Sequence, residues 1–327
     1  MLEAIFAPQS VAVVGASPDP TKLGNRVLRN ILDNGYTGRV VPIHPTAPSV
    51  LDLPAYARVS DIPGPVDLAV IVVPPPAVLG VAEDCGKKGV RGLIVITAGF
   101  KEVGGEGREL ELQLLEIVQR YQMRMVGPNC LGIIDTVSNL NASFAALMPL
   151  PGEIAFMSQS GAMCTAILDW SIPQGIGFSR FVSLGNKSDV DEVALLQAWN
   201  ADPHSKVILA YLEAINDGPG FIAAGREVTR NTPVIAIKSG TTTAGTRAAS
   251  SHTGSLAGSE AAYETAFAQS GILRARSMGE LFDFAKIFSY QPLVAGRRIA
   301  IVTNAGGPGI IATDAVERSG LRMAEFA

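Results

Sequence analysis

Short apolar runs without polar alternation recur along the chain, separated by stretches whose apolar residues fall three or four positions apart. Runs of the first kind are buried on both faces, which is the mark of parallel strands covered by helices. "SVAVVGAS" (10–17) predicts a strand that ends in a glycine turn, and "NRVLRNILDNG" (25–35) a helix with a glycine stop. "GRVVPIHP" (38–45), "DLAVIVVP" (67–74), "RGLIVITAG" (91–99) and "RMVGPNC" (124–130) predict further strands, with crossover helices over 77–89 and 105–121. Residues 1–147 are therefore expected to form a doubly wound, Rossmann-like nucleotide-binding domain.

A second series starts at "GEIAFMSQSGA" (152–162), with strands expected at 177–185, 206–214 and 232–240. Helices are expected at about 162–171, 190–200, 218–229 and 258–270, giving a flavodoxin-like domain over 148–290. A third strand–glycine loop–helix unit, "RRIAIVTNAGGPGIIATDAVERSGL" (297–321), opens an incomplete α/β domain over 291–327. One strand and one helix cannot make a parallel sheet alone, so the chain reads as a fragment of something longer.

Of the 327 residues, 47% are hydrophobic and 17% charged, with a net charge of −4. That composition supplies ample core and argues against nucleic acid as the main partner. No basic segment followed by a long apolar run marks a signal peptide, and no run is long enough to span a membrane. Cys85, Cys130 and Cys164 lie far apart without CxxC spacing, which suits a reducing cytoplasm and no structural metal.

Five stretches carry candidate chemistry. "VAVVGASPDPTKLGNRVLRN" places Gly15 after a strand and a helix start near Gly24, a geometry suited to phosphate. Its spacing is not GxGxxG, and "VVPIHPT" ends the second strand without a ribose carboxylate, so NAD is disfavoured. A plain βα turn is the other reading. "VIVVPPPAV", "VITAGFKEVGGEGRELE" and "VGPNCLGI" put Pro, Gly and small residues at strand carboxyl ends, where open α/β sheets bind ligands, though turns need such residues anyway. "MSQSGAMCTAILDW" (157–170) reads as a phosphate cradle at a helix start or as an ordinary serine N-cap, and does not meet the GxSxG nucleophile pattern.

"KSGTTTAGTRAASSHTGSLAG" carries His252 among Gly, Ser and Thr after a strong strand. Histidine is a competent nucleophile and leaving group toward phosphorus near neutral pH, while a linker histidine is the bland alternative. Glu213, at the end of "VILAYL", is placed to orient an imidazole, or is a solvated strand-end carboxylate. His44 and His204 look ordinary, and Cys130 reads as a small buried residue.

In this order the motifs resemble the α subunit of the nucleoside-diphosphate-forming acyl-CoA synthetases: ADP-forming acetyl-CoA synthetase, with succinyl-CoA synthetase more distant. "SVAVVGASPDPTKLGNRVLRNI", "GLIVITAGFKEVGGEGRELE", "RMVGPNCLGI", "GEIAFMSQSGAMCTAILDW", "SLGNKSDVDEVALL", "YLEAI" and the His252 stretch all carry the likeness. It implies CoA along the first domain's strand ends, contacted by Gly15, Ala16, Ser17, Lys22, Pro45, Val73, Pro74, Thr97, Ala98, Asn129 and Cys130. It implies phosphate at Ser158, Gln159, Ser160 and Gly161, a phosphohistidine at His252 oriented by Glu213, and an oligomer. The implied reaction is acyl-CoA, ADP and phosphate to carboxylic acid, CoA and ATP, with ADP/ATP and Mg held by an ATP-grasp β subunit or C-terminal domain. "IHPT" departs from the "NPK"-like end of the second strand that such proteins often have, which touches a CoA contact. A CoA-binding regulatory module without turnover is the alternative; it would need neither His252 nor Glu213.

Overall fold

The computed structural model describes residues 2–200, 202–240, 260–292 and 294–325. The chain divides into a large unit, Met1–Ser289, and a small one, Tyr290–Ala327.

The large unit holds two sheets. The first contains β1 (Ser10–Val14), β2 (Arg39–Ile43), β5 (Leu68–Ile71), β6 (Gly92–Val95) and β7 (Arg124–Val126), all parallel, in the order β2-β1-β5-β6-β7. Every residue of β1, β5 and β6 is buried, as their unbroken apolar runs require. Helices α2 (Leu23–Asp33), α3 (Pro75–Lys88) and α4 (Gly105–Arg120) make the crossovers, and a four-residue α1 (Glu3–Phe6) precedes β1. Proline at the first position of α3 and Gly89 at φ +85° behind it set that helix's bounds. A two-residue pair, β3 (Ser49–Val50) and β4 (Leu53–Pro54), lies beyond β2.

The second sheet runs β14-β13-β12-β10-β11-β8-β9. Here β8 is Gly132–Asp135, β9 Leu140–Ser143, β10 Leu150–Ser158, β11 Gly177–Ser183, β12 Val207–Leu212, β13 Val234–Lys238 and β14 Leu273–Ala275. The five from β10 to β14 are parallel, whereas β8 and β9 add an antiparallel margin. Helices α5 (Gly161–Ser171), α6 (Glu192–Trp199), α7 (Gly218–Val228), α8 (Glu260–Ser270) and α9 (Met278–Tyr290) flank it. The β8–β9 hairpin lies on the N-terminal side of the boundary expected at 147, yet it is hydrogen-bonded into the second sheet. Buried polar residues disguise it: Asp135 pairs with Arg180, and Asn141 bonds Ser143.

In each sheet the strand order reverses at a switch point, between β1 and β5 in the first and between β10 and β12 in the second, the strands there staying parallel. Such switch points leave a crevice at the strands' carboxyl ends. At the first, Gly15 has φ +89°, and a Cβ there would lie 2.6 Å from the Val72 carbonyl oxygen. Glycine is what lets the two loops pack together. The small unit pairs β15 (Arg298–Ile299) with β16 (Arg322–Met323) in parallel across α10 (Gly306–Arg318).

Candidate functional site

A cleft of about 690 Å³ opens where loops from both switch points meet. Its apolar wall includes Val72, Val73, Pro74, Ile96, Leu131 and Phe144. Its polar groups come from Lys101, Asn129, Gln159, Ser160 and the 185–187 loop. The size and the mixture suit a small-molecule site.

A belt of hydrogen bonds joins the loops. Thr97 Oγ1 donates to the Val73 carbonyl at 2.7 Å, and the Asn129 amide donates to the Thr97 carbonyl at 2.9 Å. Asn129 Nδ2 then donates to Asn186 Oδ1 at 3.2 Å, crossing from the first sheet's loops to the loop after β11. Gly185 makes this approach possible: a Cβ there would lie 2.4 Å from the Pro128 carbonyl oxygen. Asn186 Nδ2 donates to Glu102 at 2.6 Å and to Glu111 at 2.7 Å. Lys101 Nζ donates to the Asn186 carbonyl and lies 3.2 Å from Glu111. Burial pushes the Glu102 carboxyl up, but bonds from Asn186 and from the Gly99 and Phe100 amides outweigh it and hold the group below its ordinary range.

The belt ends at the second switch point. Gln159, just past β10, accepts the Glu213 and Ala214 amides on Oε1 at 2.8 and 2.9 Å, and its Nε2 donates to the Ala214 carbonyl at 2.7 Å. Lys187 Nζ donates to both Glu192 oxygens at 2.9 and 2.8 Å and to the Ala214 carbonyl at 2.7 Å. The Lys187–Glu192 pair is buried, with side-chain exposures of 6% and 1%. Gln159, Lys187 and Glu192 thus fix the backbone that carries Glu213.

At the start of α5, Ser160 Oγ accepts the Met163 amide at 3.2 Å and acts as N-cap. The Gly161 and Ala162 N–H groups have no intrahelical carbonyl to bond, and both residues line the cleft. A helix N-terminus with such amides favours an anion. Ser158 behaves differently from Gln159, Ser160 and Gly161: it is buried, does not line the cleft, and spends its hydroxyl on the Ser160 backbone.

Among the residues expected to contact CoA, Val73, Pro74, Thr97, Ala98, Asn129 and Cys130 line this cleft. Gly15, Ala16, Ser17, Lys22 and Pro45 do not, although Leu23 beside Lys22 does. Cys130 is buried and its thiol is pushed up to about 12 by burial, so it stays protonated and offers no competing nucleophile. His44 Nδ1 accepts the Thr46 and Ala47 amides, a turn-forming role, and His204 is exposed in a turn. His252 lies outside the described residues. Among the described residues no group of acidic, histidine or cysteine side chains is arranged to hold a metal, and no helix is long and apolar enough to cross a membrane.

Sequence reasoning assigned no role to Lys101, Asn186, Lys187 or Glu192, although "SLGNKSDVDEVALL" was among the resembling motifs. The available signal was a glycine turn after a buried strand with two polar residues behind it.

Comparison with known proteins agrees with this architecture. The CoA binding domain family matches residues 9–136, and the succinyl-CoA ligase like flavodoxin domain family matches 151–288. The chain is 47% identical over 326 residues to acetate–CoA ligase [ADP-forming] I of Archaeoglobus fulgidus, covering 99% of this chain and 47% of that protein. It is 46% identical to the acetate–CoA ligase [ADP-forming] II subunit alpha of Pyrococcus furiosus, covering 100% of this chain and 71% of that subunit. The chain thus spans about half the length of the first of these curated relatives. The solved dinucleotide forming acetyl-coenzyme A synthetase 1 of Ca. Korarchaeum cryptofilum, in complex with phosphate and ADP, superposes with a TM-score of 0.95 at 47% identity, over 100% of this chain and 70% of that one. The chain belongs to the ADP-forming acetate–CoA ligase family.

Proposed function

We propose that this chain is the CoA-binding, phosphohistidine-carrying half of an ADP-forming acyl-CoA synthetase. The observation that carries this reading is the cleft fed by two switch points, with an anion-ready helix start at Gly161 and Glu213 held beside it. CoA fits the apolar wall of Val73, Pro74 and Ile96, with polar contacts from Thr97 and Asn129; when bound it supplies the thiol that the protonated cysteines do not. Gly15–Ser17 and Lys22 would meet its diphosphate outside the cleft. Phosphate held at Gln159–Gly161 attacks the thioester carbonyl; the C–S bond breaks and leaves acyl phosphate and CoA. A nitrogen of His252, oriented by Glu213, then takes the phosphoryl group and releases the carboxylate. ADP, with Mg on an ATP-grasp subunit or domain, receives it last. The assembly is an oligomer, and the three free cysteines suit a reducing cytoplasm.

A short monocarboxylate is the favoured acid. Among the described residues, the only lysines or arginines lining the cleft are Lys101 and Lys187, and they already face Glu111 and Glu192, so neither is a spare cation for a second carboxylate. Mixed with an ATP-grasp partner subunit, ADP and phosphate, the chain should make ATP from acetyl-CoA at least about tenfold faster than from succinyl-CoA. Absence of ATP with every short acyl-CoA tested would reject the proposal.

A further inference from the structure

An acyl group under attack must lie where an anion at Gly161 can reach its carbonyl, against the first turn of α5. Among the described residues, the large apolar side chains lining the cleft form two groups. Val72–Pro75, Leu23 and Ile96 belong to the first sheet's strand ends and to α2. Leu131 and Phe144 belong to the antiparallel margin of the second sheet, just before β8 and just after β9. It is this second group that touches the helix start. A Cβ on Gly161 would lie 3.9 Å from the Leu131 Cβ, and the Phe144 amide donates to the Leu131 carbonyl at 3.2 Å. That first turn itself contributes Gly161, Ala162 and Thr165 to the lining, all too small to bound an acyl chain.

Phe144 is held so that it cannot retreat. Asn30 on α2 donates from Nδ2 to the Ser143 and Ala145 carbonyls, each at 2.8 Å. The Ala145 amide donates to Ser143 Oγ at 3.1 Å. The backbone is thus pinned on both sides of Phe144. Its ring is half-buried, packs against two of the buried cores and still lines the cleft. Close-packed surroundings give such a ring little room to move.

We propose that the Phe144 ring, backed by Leu131, sets the upper limit on the length of the carboxylic acid. This inference rests on the reading that phosphate held at Gly161 attacks the thioester. An acetyl methyl stops short of the ring. A longer chain has to displace it, and overpacking against a fixed wall costs binding in the transition state.

The test is kcat/KM for ATP formation from acetyl-CoA, butyryl-CoA and phenylacetyl-CoA, in the chain assembled with an ATP-grasp partner subunit, ADP and phosphate. The wild type should favour acetyl-CoA over either larger thioester by at least about tenfold. Phe144→Ala should raise the phenylacetyl-to-acetyl ratio by at least about tenfold, the worth of a methylene or more in an apolar pocket. If Phe144→Ala does not fold, Phe144→Leu decides alone; it keeps an apolar contact without the ring and should raise the butyryl-to-acetyl ratio. A common loss for all three thioesters, with the ratios unchanged, overturns the inference, because that is what a merely structural residue gives. So does a wild type that uses phenylacetyl-CoA as well as acetyl-CoA. A wild type that makes no ATP from any of the three overturns the underlying reading as well, so the two failures are distinct.

Discussion

Replacing Glu192 with alanine should cost about 3–5 kcal/mol of stability, the usual result of stripping one partner from a buried ion pair. Lys187 would then keep only the Ala214 carbonyl, at 2.7 Å, with its side chain 6% exposed. The urea midpoint should fall with little change in slope, because the surface exposed on unfolding is nearly the same. Restoring shape without charge reverses the effect. In the double substitution Lys187→Met with Glu192→Met no buried charge is left over, and most of the loss should be recovered. A Glu192→Ala midpoint equal to the wild type would mean that the pair does not hold the Glu213 backbone in place.

Glu213→Gln should slow phosphohistidine formation by about 10²–10⁴-fold, the range for losing a group that positions a proton in the transition state. The fold should survive, because the contacts given by Gln159 are to the Glu213 and Ala214 amides and not to the replaced side chain. CoA affinity should be unchanged, since Glu213 does not line the cleft wall that faces Val73 and Pro74. A variant that phosphorylates normally, or one whose slow rate follows a matching loss of stability, would remove the orienting role.

Much of the fold was legible because burial on both faces leaves unbroken apolar runs. β1, β5, β6, β12 and β13 fall where such runs stand, and α3, α4, α5 and α7 lie within about two residues of their expected bounds. The β8–β9 hairpin was not anticipated because Asp135, Asn141 and Ser143 interrupt its apolar pattern, and the burial of Asp135 goes with an ion pair to Arg180, 45 residues on. β14 and α9 were not anticipated. The cleft's lining was legible where one turn makes it, as at Gly161. It was illegible where residues meet across the chain: Lys101 with Asn186, and Gln159 with Glu213. No local period records a bond between residues 85 positions apart.

The most direct measurement of the central claim is phosphoryl labelling of the chain. With an ATP-grasp partner subunit and ATP labelled on the γ-phosphate, the chain should acquire acid-labile, base-stable label. Addition of acetate and CoA should discharge it, and His252→Ala should carry none. Label on His252→Ala, or no label on the wild type with any such partner, would contradict the assignment of a phosphohistidine to this chain.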